Sequence, residues 1–304
     1  MTDPIAVMGG FLAAAVRVAT PLLLAATGET ITERSGVINL GLEGMMLAGA
    51  LAATMGASAG GPWAGIAAAV LAGVIFALLF AAVSILAHAD QIIAGTAITL
   101  AAVGLTGTIY REAFGTGGAG LTLPTLGPLA VPGLSRIPLL GPALFAQPIP
   151  TYVALAAVPA AWWFLFRTRT GLVLRATGEG AAEARAAGVR IHAVRAVATV
   201  VGGAFAGVAG ATLVLAQVGS FAENMTAGRG YVAIAIVVLG RWHPVGVAVA
   251  ALLFGAATAL QYVFQAIGLS VPYQLFLMLP YVLTLLALGG AVGRVRAPAE
   301  LGKG

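Results

Sequence analysis

Few side chains in this sequence have the type and spacing that chemistry needs. The three histidines, His88, His192 and His243, have no second histidine or carboxylate at a metal-binding interval such as H-E-x-x-H. There is no G-x-S-x-G turn, no G-x-x-x-x-G-K-[ST] phosphate loop and no cysteine. Disulfides, thiolate metal sites and cysteine nucleophiles are thereby excluded. The expectation is a chain with no catalytic residue and no metal site, one that does not bind ATP by itself. What remains is polar groups in apolar surroundings. Glu43 sits in NLGLEGMMLAGA, about two turns into an apolar segment. A charge there costs about 2.5–3.5 kcal/mol on insertion scales and marks a functional site by default. Asn39 lies four residues earlier, on the same face if the segment is helical. Two readings stay open: a polar spot facing a pathway, or a carboxylate that bonds neighbouring backbone and orders a broken helix. Gln91, Asn224, Arg229 and Gln261 stand near the ends of apolar segments, where anchoring at an interface is the ordinary use. Asn39, Glu43, Gln91 and Asn224 are the candidate residues of a translocation path.

The elements that must position these groups are set by composition. The 304 residues are 60% hydrophobic and 8% charged, against roughly 25% charged in a soluble domain, and the mean hydropathy is +1.03. That defines an all-α polytopic membrane protein of about 8–10 transmembrane helices, forming a single transmembrane domain over 1–304. Its partner in bulk is the lipid bilayer. The net charge of +5 is an inside-loop bias, and no nucleic-acid partner is expected. The start, MTDPIAVMGG, has no basic leader region, so the first apolar stretch is expected to stay as a span.

Length and breakers place spans at about 5–27, 37–55, 63–87, 92–110, 151–166, 196–217, 229–241, 244–266 and 273–290. Asn39 and Glu43 interrupt the second, and the seventh is short, so either could be broken or re-entrant. The long charged stretch that a membrane would refuse is Arg167 to Arg195, with six arginines. With that loop inside and nine crossings, the inner side holds Arg34, the six loop arginines, Arg241, Arg294, Arg296 and Lys303. The outer side holds only Arg111, Arg136 and Arg229, as the positive-inside rule requires. The N-terminus and the Gly- and Pro-rich stretch 111–150 are then outside and the C-terminus inside. Within the inner loop, Glu179 to Ala187 reads as a short helix stopped at Gly188. Gly203-x-x-x-Gly207 and Ala206-x-x-x-Gly210 allow close helix packing.

Three stretches carry a family resemblance: ERSGVINLGLEGMMLAGA (33–50), TGEGAAEARAAGVRI (177–191) and NMTAGRGYVAIAIVVLGRWHPVGVAVAALLFG (224–255). In this order they resemble bacterial ABC importer permeases of the branch that groups branched-chain amino acid, ribose and nucleoside systems. NLGLEGMM with GRGYVAIA and GRWHP looks closest to the nucleoside or simple-sugar permeases. The resemblance implies a type II ABC importer-like permease fold in the bacterial cytoplasmic (inner) membrane. It also implies separate ABC ATPase subunits that bind ATP and Mg, a second permease subunit, homologous or identical, and an extracytoplasmic substrate-binding protein. By the same resemblance, 177–191 is the coupling segment. There Ala181, Ala182 and Ala186 would allow close approach to the ATPase, Glu179, Glu183 and Arg185 would set orientation, and Gly188 would end the helix. One departure stands out: relatives commonly have Asn-Pro after this Glu, where Gly180-Ala181 follow here. The expected function is nucleoside translocation, with a simple sugar or branched-chain amino acid as the alternative solute. The rival class is a stand-alone secondary transporter or channel, which calls for inverted repeats and mid-membrane carboxylates; of the latter this reading offers only Glu43.

Overall fold

Apolar runs of about twenty residues in lipid must satisfy their backbone internally, so each becomes a helix. The computed structural model describes residues 4–115, 122–266, 278, 282 and 296–303. Helix α1 spans Pro4–Arg34, α2 Leu42–Gly60, and α3 Pro62–Ala81, continued by a π-helical turn to Leu86. Helix α4 spans Gln91–Phe114. A short hairpin of β1 (Pro128–Ala130) and β2 (Ala146–Pro148) encloses α5 (Leu140–Leu144) and leads to α6 (Ile149–Arg167). Then come α7 (Arg169–Glu179), α8 (Ala181–Ala186), α9 (Ile191–Thr212, continued by a π-helical turn to Val218), α10 (Arg229–Leu239) and α11 (Pro244–Ala266).

Seven helices among the described residues are long and apolar enough to cross a membrane: α1, α2, α3, α4, α6, α9 and α11. The expected span 229–241 is instead the 11-residue α10, about 16 Å long against about 30 Å of hydrocarbon. The expected span 273–290 lies outside the described residues.

The core is built around α9. Gly202, Gly203, Ala206, Gly207 and Gly210 are buried on it. A Cβ on Gly203 or Gly207 would collide with carbonyl oxygens of α3, and one on Gly210 with the Met46 carbonyl of α2. Small residues thus bring three backbones together, which in lipid is where packing energy comes from. The Gly203–Gly207 motif is spent inside the subunit.

The loops sort to two ends. At one, the Glu300 amide donates to the Gly178 carbonyl (2.9 Å) and the Gly302 amide to the Gly36 carbonyl (3.1 Å). There too the Ile38 amide donates to the Gln91 side chain (2.8 Å), and His88 meets His192 at 5.4 Å between ring centroids. At the other end, the Leu126 amide donates to the Leu215 carbonyl (2.7 Å). The buried Gln147 amide donates to the carbonyls of Pro142 (2.9 Å) and Ala13 (3.3 Å). Helix α11 starts beside Trp242 at the first end, and Gly255 farther along packs on Ala15 and Ala19 of α1. Helices α9 and α11 therefore run parallel, and 219–243 is the return leg between them.

Candidate functional site

That return leg is broken. After the π-helical end of α9 the chain makes a turn with left-handed residues at Asn224 (φ 54°), Ala227 (φ 46°) and Gly228 (φ 82°), and α10 then starts level with the start of α2. The first amides of any helix lack intrahelical partners and carry the positive end of its dipole. Glu43, 3% exposed, supplies both partners: one oxygen accepts from the Gly228 amide (2.8 Å), the other from the Gly230 amide (2.6 Å). Gly230 is required by closeness, since a Cβ there would stand 2.5 Å from Glu43 Cα. The carboxylate bonds backbone, as one of the two sequence readings had it, but the backbone of another crossing rather than of its own segment.

The other expected path residues are placed differently. Asn39 does not share a helix face with Glu43: α2 begins only at Leu42, and Asn39 lies in the irregular segment and turn that lead to it. Two hydrogen bonds anchor that approach, one to α1 and one closing the turn into α2. The Asn39 amide donates to Glu29 (3.0 Å), and its carbonyl accepts from the Leu42 amide (3.2 Å). Gln91, the first residue of α4, is buried and ties Ile38 to the loop end described above. Asn224 is exposed in the broken turn. The structure thus brings Glu43 to the half-helix, with Asn224 in the turn that leads to it, and sets Gln91 at the end of the bundle.

Two carboxylates escaped the sequence reading. It ended the first span at 27, whereas α1 runs on to Arg34 and buries Glu29 and Glu33 completely or nearly so, at 0% and 1% exposure. Their four-residue spacing in GETITER puts them on one helix face, which was the available signal. Glu29 holds the Asn39 amide. Glu33 accepts the indole N–H of Trp242, the residue that follows α10 by a left-handed turn. Next to it, Arg34 donates from Nε to the Trp242 carbonyl (2.8 Å) and reaches Glu179 at 3.7 Å. Arg34 and Arg175 also lie over the Phe166 ring, at 6.0 and 4.9 Å. His243, whose ring stacks near Phe166 at 5.2 Å, is held below its ordinary pKa by burial and then by the Arg34 charge. One chain of contacts therefore runs from Glu179 through Arg34 to Trp242, along α10, and into Glu43.

Glu179 was expected to open the polar helix, and the structure corrects this. It is the last residue of α7, an amphipathic helix that Thr168 caps by accepting from the Gly171 amide (2.9 Å). Gly180 (φ −159°, ψ 84°) breaks the helix, and α8 keeps only six of the nine expected residues. With no Asn-Pro after the Glu, a glycine makes the corner. Ala182, Glu183, Arg185 and Ala186 are exposed, Ala181 is half-buried, and Ala184 is the buried side. Gly188 (φ 86°) ends the turn in the left-handed region, as expected.

A helical bundle with a half-helix starting inside it, and a helical elbow projecting at one end, has the build of a membrane transport subunit. The chain belongs to the branched-chain amino acid transport system / permease component family, whose model matches residues 11–288. It is 38% identical to the putative glucose ABC transporter permease protein TsgC13 of Haloferax volcanii, over 86% of this chain and 79% of the relative. It is 34% identical to the guanosine ABC transporter permease protein NupQ of Bacillus subtilis, over 99% of this chain and 97% of the relative. It is likewise 34% identical to the nucleoside ABC transporter permease protein NupC of Lactococcus lactis, over 92% and 91%. No solved structure matches the chain.

Proposed function

We propose that this permease carries nucleosides inward as the transmembrane subunit of an ATP-driven importer. The support for the solute is end-to-end similarity to a guanosine and a nucleoside permease. The observation that carries the mechanism is the contact chain Glu179–Arg34–Trp242–α10–Glu43. In this reading α8 docks on a separate ATPase, which holds ATP and Mg. Closure of the ATPase pulls α8 and α7, the load passes through Arg34 to the end of α10, and the half-helix moves against α2. Glu43 and Asn224 then face the path where α10 starts, and Asn39 and Gln91 stand toward its inner end. A second permease subunit closes the other side of the path, and an extracytoplasmic binding protein delivers the solute. The chain's own part is the different stability of two arrangements, not covalent chemistry. A simple sugar is the second reading, favoured by the 38% identity to a glucose permease.

Uptake of radiolabelled guanosine into proteoliposomes holding the whole transporter tests the solute. Accumulation is expected to need ATP and binding protein, and excess unlabelled nucleoside but not glucose should compete. Glucose accumulation instead would establish the sugar reading, and ATP-independent uptake would establish a secondary transporter.

Sidedness has its own test, which this cysteine-free chain makes simple. Ala130→Cys in β1 and Ala187→Cys after α8 are both exposed positions. In intact cells an impermeant maleimide should label the first and not the second, with both labelled after permeabilisation. The reverse pattern would overturn the placement of 167–195 inside.

A further inference from the structure

A deep apolar cavity lies away from the path, on the flank formed by α6, α7 and α9. It is a groove of about 860 Å³, and nothing in the transport reading uses it. Its walls are apolar: Ala157 and Phe164 from α6, Val194, Val197 and Val201 from α9, with Leu174 of α7 below. Two cations stand at one end, Arg169, the first residue of α7, and Arg190, just before α9. Both are exposed, and among the described residues neither has an ion pair or a side-chain hydrogen bond. The same level carries the aromatic residues of a membrane interface: Trp163 is 60% exposed, and Arg167 lies over the Trp162 ring at 5.6 Å.

We propose that this groove is a binding site for an anionic phospholipid, one acyl chain lying between α6 and α9 and the phosphate resting on Arg169 and Arg190. The dimensions agree. From Arg190 to Val201 is eleven helical steps, about 16 Å, and half of the bilayer hydrocarbon is about 15 Å deep. The chemistry agrees as well. A hydrocarbon chain needs no hydrogen bonds from such walls, whereas a nucleoside or sugar would leave several polar groups unpaired there. The unpaired arginines at the head end match a phosphate, and basic pockets between membrane helices attract anionic headgroups. Segment 267–295 of this chain holds no Asp or Glu, so it could fill the walls but would leave both cations without a carboxylate.

The test is native mass spectrometry of the whole transporter, delipidated and then given palmitoyl-oleoyl phosphatidylglycerol or phosphatidylcholine. Wild type is expected to retain phosphatidylglycerol in preference to phosphatidylcholine. The double variant Arg169→Gln/Arg190→Gln should lose that preference, while Arg169→Lys/Arg190→Lys keeps it, because a point charge suffices for a phosphate. Val197→Trp, which fills the groove without touching charge, should abolish retention of either lipid. Arg136→Gln, at the opposite end of the bundle, is the control and should retain wild-type preference. An unchanged preference in the double glutamine variant overturns the proposal. So does cross-linking of Val197→Cys to a second subunit or to a cysteine within 267–295, since the groove is then already filled. None of these outcomes depends on which solute is carried.

Discussion

Ala182→Trp is expected to leave the permease inserted and monodisperse, yet to release its ATPase or uncouple hydrolysis from uptake. Ala182 is exposed on α8, whereas Ala184, two residues on, is the buried side of the same short helix. A bulky group at 182 therefore spares the permease core and, in the proposed docking, meets the ATPase. Overfilling a fitted contact costs about 1–3 kcal/mol, which corresponds to a loss of coupling of roughly 5- to 150-fold. The measurements are ATPase retained on the affinity-purified permease and solute-stimulated hydrolysis. Unchanged values for both would mean that α8 is not the docking element. Ala184→Trp is the contrast, because its damage should fall on the fold and appear first as lost expression.

Glu43→Gln is expected to cut uptake by at least about tenfold while the protein still inserts. The carboxylate accepts two amide hydrogens at the start of α10, and a glutamine can accept only one and points its own N–H₂ at the other. Each charge-assisted bond of this kind contributes about 1.5–3 kcal/mol, and the helix dipole adds to the loss. Gly230→Ala should produce a similar defect without changing any charge, since its Cβ would press on Glu43. Normal uptake and an unchanged Tm for Glu43→Gln would remove the clasp from the mechanism.

The broad architecture was legible because hydropathy is local. Expected segments at 63–87, 92–110 and 244–266 match α3 with its π-helical turn, α4 and α11 within a few residues, and the short segment at 229–241 gave warning of a half-helix. The misses were non-local. Glu29 and Glu33 fell beyond the end drawn for the first span, because an isolated carboxylate ordinarily belongs in water. They stay inside only because an amide ten residues on and an indole 209 residues on lie against them. Asn39 and Glu43 looked like one helical face because nothing in the sequence shows that Glu29 binds the amide at 39 and that the helix starts only at Leu42. Helix α7 was hidden in the arginine count. Its buried positions Gly171, Leu174, Thr177 and Gly178 are too small and too few to register as an apolar run.

The return leg also constrains how the chain is built. Helices α9 and α11 point the same way, so the 11-residue α10 and its turn must be carried back across the membrane between them. A segment that short is a poor substrate for the insertion machinery on its own hydropathy, since about twenty apolar residues make a confident span. Emerging from the ribosome, it needs a slot already made, and that slot is lined by Glu43 of α2 and by Glu33 and Arg34 of α1. The groups that hold α10 thus all come from helices earlier in the chain, α1 and α2. Arg241, two residues after α10, places a positive charge just ahead of α11, at the end of the bundle that carries Arg34.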